Sequence, residues 1–255
     1  MMAMAATELA PEILWTPAPA DLKPVRGEIQ MFCASRAVSD VRLEELALTL
    51  SEDERARAER FRFDRDRRRF IASRGLLREV LGRLLGAKAD RLAFAYTARG
   101  KPVLAAPASG HYLHFNVAHS DSLAVYATAW EYEVGIDIER LRPIEGAEAI
   151  ASRFFSEREL AQWRSVPSRQ RMEAFFNCWT RKEACLKATG DGISELLSQI
   201  EVSLVPGHPP RLFNMAGDPR AATRWLLESL TPAPTYLGTV AVPQGAHLET
   251  HCWKW

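Results

Sequence analysis

The segment Phe175–Gly190, FFNCWTRKEACLKATG, most restricts what this chain can fold into. It is rich in Ala, Leu, Lys and Glu, holds no proline and closes on glycine, so it predicts a long helix ending at Gly190. On a 3.6-residue period, Trp179, Glu183 and Lys187 stand one turn above another, with Lys182 beside them. An acid and a base one turn apart next to an indole read as a solvated salt-bridge ladder when the helix is taken by itself.

Upstream, Val134–Arg140 reads VGIDIER, with apolar residues alternating with Asp137 and Glu139. The alternation predicts a strand whose two carboxylates share a face. Like charges on neighbouring same-face positions repel unless something cationic sits between them. Either this is an ordinary edge strand with one wet face, or the carboxylates share a divalent cation for which Glu183 is a third oxygen ligand. Three carboxylates completed by waters and phosphate oxygens describe a Mg²⁺ site, because Mg²⁺ prefers oxygen and keeps several waters.

With 255 residues and 47% hydrophobic content, the chain can build one large domain or two small ones. A net charge of +1 gives no whole-molecule field favouring nucleic acid or an anionic membrane. Cys33, Cys178, Cys185 and Cys252 are scattered without CxxC spacing, which argues against a zinc cage or a disulfide framework and suits a reducing cytoplasm. No apolar run approaches the roughly 20 residues that span a bilayer. The leader MMAMAATELAPE lacks a basic region followed by an apolar core, so we expect a flexible N-terminal segment over residues 1–26 and a cytoplasmic location.

After a proline-rich entry, Gly27–Ala34 reads as a first strand. Ser51 and Glu54 form a capping box, and the helix it opens is expected to run through Phe61–Gly82 and end there. Here Arg62, Arg65, Arg67, Arg68, Arg69, Arg74 and Arg78 crowd one segment, while Phe70, Leu77 and Leu81 keep an apolar stripe. The resulting basic face reads as solvated charge, as an RNA-like footprint, or as a grip for a small polyanion. In YTARGKPVL, Gly100 and Pro102 force a turn around Lys101. His114–Ala129 reads as strand, tight turn, strand, with His119 and Ser120 at the turn and LAVYATA internal to a sheet.

Ser156 and Glu159 then form a second capping box, 105 residues after the first. A helix follows, then the Phe175–Gly190 helix, and Tyr236–Val242 echoes LAVYATA as a late apolar strand. The same order of elements met twice predicts an α/β (α+β) fold of two similar lobes, residues 27–133 and 134–255, joined near residue 133. A ligand is expected in a cleft between lobes, and the tail with Trp253 and Trp255 is expected to pack back onto one of them.

Four motifs stand in order: ARGKP (98–102), FNVAHS (115–120), GIDIE (135–139) and WTRKEACLK (179–187). Together with the basic helix they resemble the 4′-phosphopantetheinyl transferases, specifically the larger, two-lobed monomeric type related to surfactin-synthetase activating enzymes. The resemblance implies that family's pseudo-twofold fold, and transfer of the phosphopantetheine arm from coenzyme A, as co-substrate, to a serine of an apo acyl- or peptidyl-carrier protein, with release of adenosine 3′,5′-bisphosphate. It also implies Mg²⁺ ligands at Asp137, Glu139 and Glu183, a catalytic base at Glu183, and a lysine acting on the departing phosphate oxygen at Lys187. Lys101 and His119, with Arg69 and Arg74 of the basic helix, match positions contacting coenzyme A phosphates, as Lys187 also does. The chain departs from the family pattern at Ala118, where a serine usually precedes the histidine, which leaves one hydroxyl contact to be supplied by Ser120 or a backbone N–H.

The chemistry agrees with these residues, since attack of a serine hydroxyl on a pyrophosphate needs charge neutralised around the bridging oxygen and a base within reach of the nucleophile. Two other classes compete: a catalytically silent carrier-binding module on the same fold, and an RNA-binding protein using the arginine-rich segment. The first has no need to keep the three carboxylates and Lys187 together. The second lacks interleaved stacking aromatics. The expected partners are therefore carrier proteins of fatty-acid, polyketide or nonribosomal-peptide biosynthesis, with no nucleic acid and no membrane, and the expected state is a monomer.

Overall fold

Each half of the chain lays one long helix on a sheet. The computed structural model describes residues 12–105, 113–190, 197–216, 218–246 and 249–255. It divides into an N-terminal unit of Trp15–Tyr96, Pro102–Glu131 and His247–Trp255, and a C-terminal unit of Met1–Leu14, Thr97–Lys101 and Tyr132–Ala246.

The N-terminal unit contains β1 (Thr16–Pro17), β2 (Glu28–Ser35), α1 (Asp40–Thr49), α2 (Glu52–Glu59), α3 (Asp64–Leu85), β3 (Phe94–Tyr96), β4 (Pro102–Leu104), β5 (Leu113–Ser120) and β6 (Leu123–Trp130). In the C-terminal unit lie β7 (Gly135–Arg140), α4 (Ala147–Phe154), α5 (Glu157–Ser165), α6 (Arg171–Thr189), β8 (Ile200–Val202), β9 (Leu212–Met215), β10 (Trp225–Leu230) and β11 (Tyr236–Pro243). The last strand, β12 (Glu249–Lys254), returns to the N-terminal unit and pairs in parallel with β2, so the tail completes the first sheet where the sequence boundaries had put it in the second lobe. Long-range packing decides this: Trp253 and Trp255 pack onto the N-terminal core, and Trp255 meets Phe32 edge-on at 5.7 Å.

The five-stranded sheet runs β1-β12-β2-β6-β5, which leaves LAVYATA interior as its composition predicts. His119 and Ser120 are the last residues of β5 and not turn residues; the turn falls on Asp121, which takes φ 48°. The core beneath joins Phe32, Phe115 and Tyr126 of the sheet to Leu46 of α1 and Leu77 and Leu81 of α3.

The basic helix differs from expectation in three ways. It is two helices, because the chain leaves α2 at Arg60 and restarts from Phe63, whose extended backbone precedes Asp64 and Asp66 in the first turn of α3. It also runs past Gly82 to Leu85. Gly86 takes the left-handed turn, the Ala87 N–H reaches back to the Gly82 carbonyl at 2.8 Å and the Gly86 N–H to Arg83 at 3.3 Å, a Schellman ending. Finally, Arg74 and Arg78 leave the basic face for the interior.

Both capping boxes form, and both are more than caps. Glu54 and Glu159 are each buried at the third helical position of α2 and α5, and each meets a buried cation of the next long helix. Arg78 donates to Glu54 at 2.6 Å, with Arg74 Nε 2.8 Å from the other oxygen; Lys182 pairs with Glu159. A buried acid left without its base would be strongly unfavourable, so each pair fixes a helix onto its neighbour. The two units repeat one packing device.

Candidate active site

In the C-terminal unit the sheet order is β10-β11-β7, with β7 at the edge and α6 across β7 and β11. Strand alternation turns Gly135, Asp137 and Glu139 toward α6. A Cβ at Gly135 would sit 2.0 Å from the Ala184 carbonyl oxygen and 2.4 Å from the Ala188 nitrogen, so only glycine lets the helix lie this close. Thr239, opposite Asp137 in the register, meets Thr180 of α6 at 3.2 Å and confirms which face is covered. The helix ends as its sequence predicts, on Gly190 at φ 74°, whose N–H bonds the Leu186 carbonyl.

The close approach gathers the acids and the base. Lys187 Nζ donates to Asp137 Oδ1 at 2.7 Å. Asp137 is 7% exposed, and its other oxygen, Oδ2, is buried with no hydrogen-bond partner. Glu183 is 4% exposed, one turn before Lys187. Burial pushes Glu183 up to about 7, helped by the charges of Asp137 and Glu139 and opposed by Lys187. Burial likewise lifts Asp137 to about 6, against the attraction of Lys187. Glu139 is more exposed and takes a 3.0 Å hydrogen bond from Arg142. The solvated-ladder reading of α6 therefore fails: Glu183 is inside, and Lys182 beside it is a core cation that also donates to the Phe154 and Leu197 carbonyls.

Among the described residues no three His, Cys, Asp or Glu side chains are drawn into a ready-made metal cage. The donor chemistry nevertheless fits Mg²⁺. An orphaned Asp137 oxygen is buried near a second carboxylate, Glu183, whose proton affinity is raised by burial and then by the charge of Asp137, and Mg²⁺ is commonly held by one or two protein carboxylates, the rest of its shell being water and substrate phosphate.

Lys101 stands in the same unit, with Nζ 3.1 Å from the Ala188 carbonyl at the end of α6 and 3.0 Å from Glu133. The other three anticipated cofactor contacts belong to the N-terminal unit. Arg69 of α3 pairs with Asp121 at 2.9 Å, and His119 is exposed two residues before that aspartate. Arg74 is engaged internally: it forms an ion pair with Glu54, donates to the Tyr96 hydroxyl and lies 4.7 Å from the Phe94 ring centroid. Ala118, where a serine was missing from the motif, is 1% exposed.

Comparison with known proteins bears on this arrangement. A family model described as the 4′-phosphopantetheinyl transferase superfamily matches residues 133–241, and a second, 4′-phosphopantetheinyl transferase, N-terminal, matches residues 38–131. The chain is 42% identical to the 4′-phosphopantetheinyl transferase HetI of a Nostoc species over 89% of its own length and 93% of that protein's. It belongs to the 4′-phosphopantetheinyl transferase superfamily. Within that superfamily it is also 38% identical to the transferase psf-1 of Bacillus pumilus, over 64% of this chain and 67% of that one, and 31% identical to the human L-aminoadipate-semialdehyde dehydrogenase-phosphopantetheinyl transferase, over 62% and 54%. The solved holo-[acyl-carrier-protein] synthase of Thermotoga maritima aligns with TM-score 0.32 at 20% identity, covering 44% of this chain and 62% of that one, an overlap too partial to carry weight. As a member of this superfamily the chain is a transferase of the two-lobed type, and the acidic centre on β7 and α6 lies inside the matched 133–241 segment.

Of the residues expected at the site, Asp137 and Lys187 are in direct contact, Glu183 is buried one turn from Lys187, and Glu139 is held by Arg142, for which the motif carries no signal. Sequence reasoning missed the inward turn of Arg74 and Arg78. Their i, i+4 spacing on the side of Leu77 and Leu81 was the available clue.

Proposed function

We propose that the chain is a cytoplasmic, Mg²⁺-dependent enzyme that moves the 4′-phosphopantetheine arm of coenzyme A onto a serine of an apo carrier protein and releases adenosine 3′,5′-bisphosphate. The observation that carries this reading is the burial, at the β7–α6 contact, of a partnerless Asp137 oxygen and of Glu183, which burial and the charge of Asp137 raise to about 7. A carboxylate half-protonated near neutrality suits proton transfer at physiological pH.

In the reaction, Glu183 takes the proton of the carrier serine hydroxyl, directly or through a water, as the serine oxygen bonds to the β-phosphorus. The bond between that phosphorus and the bridging oxygen breaks, and the electron pair leaves on the 5′-phosphate of the adenosine product. Lys187, held near by Asp137, places an ammonium where negative charge grows on that oxygen. Asp137, Glu183 and Glu139 are the residues that would hold Mg²⁺, which when bound neutralises the pyrophosphate and the carboxylates together. Arg69, Lys101 and His119 are the remaining candidates to grip coenzyme A phosphates. Arg74, already bonded to Glu54 and Tyr96, serves instead to hold α3 in place.

No helix among the described residues is long and apolar enough to cross a membrane, and all four cysteines are free thiols. Incubating the chain with coenzyme A, Mg²⁺ and an apo carrier protein, then separating the products, tests the reading. Holo carrier and adenosine 3′,5′-bisphosphate are expected in equal amounts, both abolished by chelator. Coenzyme A hydrolysed with the carrier unchanged would overturn it.

A further inference from the structure

Helix α6 carries a second buried charge that the transfer chemistry does not use. Arg181 is 2% exposed and lies two residues before Glu183, so about 200° around the helix from it. Its Nη1 donates to the Ser203 carbonyl at 2.7 Å and the Ser203 hydroxyl at 3.0 Å, its Nη2 makes only a 3.4 Å contact with the Ser229 hydroxyl, and its Nε has no partner. Arginine is almost never fully buried without a counter-charge. Arg74, Arg78 and Lys182 obey that rule, each against a buried glutamate. Among the described residues Arg181 has no ion pair: Glu173, about two turns earlier on the same helix, acts on it through charge without pairing with it. Burial draws Arg181 down to about 10, still far above neutrality, so the charge persists.

Beside this guanidinium is a cavity of about 240 Å³, lined also by Glu173, Asn177, His208, Ser229 and Thr231. A water takes up about 30 Å³ of liquid, so the space is several waters in size and accommodates a small organic molecule. Its walls offer the Arg181 guanidinium, an amide, hydroxyls, an imidazole and the Glu173 carboxylate. A fixed guanidinium whose Nη2 is only weakly filled suits an oxygen of a carboxylate or phosphate. Glu173, which also lines the cavity, disfavours a second negative group on the ligand.

We propose that this cavity is an anion-binding site, separate from the acidic centre on β7 and α6, that takes a small molecule bearing one carboxylate or phosphate head on Arg181. The site stands on the buried charge and the cavity and does not depend on the transfer reaction.

The test uses the full chain saturated with coenzyme A, which fills the phosphate-binding groups of the transferase site. Inorganic phosphate and acetate are titrated separately at constant ionic strength while the thermal midpoint is followed. The wild type should show a saturable rise with the anion that fits, and the preferred probe tells carboxylate from phosphate. Arg181→Met, which keeps the side-chain length without the charge, should lose the saturable part and retain only the gradual salt effect. Arg181→Lys, which keeps the charge but not the fork, should weaken apparent affinity by about tenfold or more. Equal responses of wild type and Arg181→Met would overturn the proposal. Should Arg181→Met fail to fold, bromide soaked into wild-type crystals decides by anomalous scattering: a bromide within hydrogen-bonding reach of Arg181 supports the site, and a cavity without bromide overturns it.

Discussion

Without a divalent ion the acidic centre should be a pH-dependent weak point, and the size of the effect follows from the two buried carboxylates. Glu183 is lifted from 4.5 to about 7 and Asp137 from 3.8 to about 6, burial being the first cause of each. A raised folded-state pKa means that the folded chain keeps protons the unfolded chain has already released. The contribution to stability is therefore full below about pH 4 and is lost as pH rises through 6 and 7. At about 1.4 kcal/mol for each tenfold change in proton affinity, each shift corresponds to about 3 kcal/mol. Their mutual repulsion is contained in both, so the joint loss is about 3–5 kcal/mol, on the order of 10 °C in Tm for a chain of this size. Mg²⁺ binds the deprotonated carboxylates, so its stabilisation should have the opposite slope, small at pH 5 and largest at pH 8. Asp137→Asn removes one charge at constant shape; its metal-free profile should be flatter between pH 5 and 8, and its response to Mg²⁺ should be largely gone. Scanning calorimetry of both proteins, in chelator and in Mg²⁺, measures all four curves. Equal Mg²⁺ shifts at pH 5 and pH 8, or a full response from Asp137→Asn, would refute the reasoning.

Other substitutions probe the supporting structure. Gly135→Ala forces a Cβ to within 2.0 Å of the α6 backbone, so it should destabilise by about 1–3 kcal/mol and displace Asp137 from Lys187, read as a lower Tm together with a fall in kcat. Arg74→Ala leaves half of a buried carboxylate uncompensated and should lower stability by about 3 kcal/mol or more in denaturant titration, whether or not coenzyme A is present. Ala118→Ser puts a hydroxyl at a position 1% exposed, so we expect a stability loss of about 1–3 kcal/mol and an unchanged KM for coenzyme A; a lowered KM would show the hydroxyl reaching the cofactor. If Arg69 holds the 3′-phosphate, Arg69→Ala should shrink the discrimination between coenzyme A and dephospho-coenzyme A, and an equal penalty in both proteins would remove it from the site.

The parts of the molecule legible in the sequence are those where local chemistry and tertiary packing agree. Both capping boxes, the interior strand LAVYATA and the glycine ending of α6 rest on short-range rules that the packing does not oppose. The acidic centre was legible for a similar reason: alternation in GIDIE and a one-turn spacing in WTRKEACLK fix which side chains share a face before any packing is known. The failures lie where distant contacts decide. Composition shows seven arginines in one segment but not that Glu54, twenty or more residues earlier, draws two of them inward. The start of α3 at Asp64 depends on the extended backbone of Phe63, which no breaker residue announces. The tail's return to β2 is a parallel pairing across more than two hundred residues, for which the sequence holds only the aromatic character of Trp253 and Trp255. The burial of Arg181 has no local signal, because an arginine beside a lysine in a charged helix reads as surface.

The most direct test of the central claim is the intact mass of an apo carrier protein during a time course with coenzyme A and Mg²⁺, run with the wild-type chain and with Glu183→Gln. The account predicts a gain of one phosphopantetheine arm per carrier serine with the wild type, and a rate lower by about 10²–10⁴ with the variant, whose amide keeps the shape of the side chain but cannot accept the proton. A carrier that gains no mass with the wild type, or gains it equally fast with Glu183→Gln, would contradict the account.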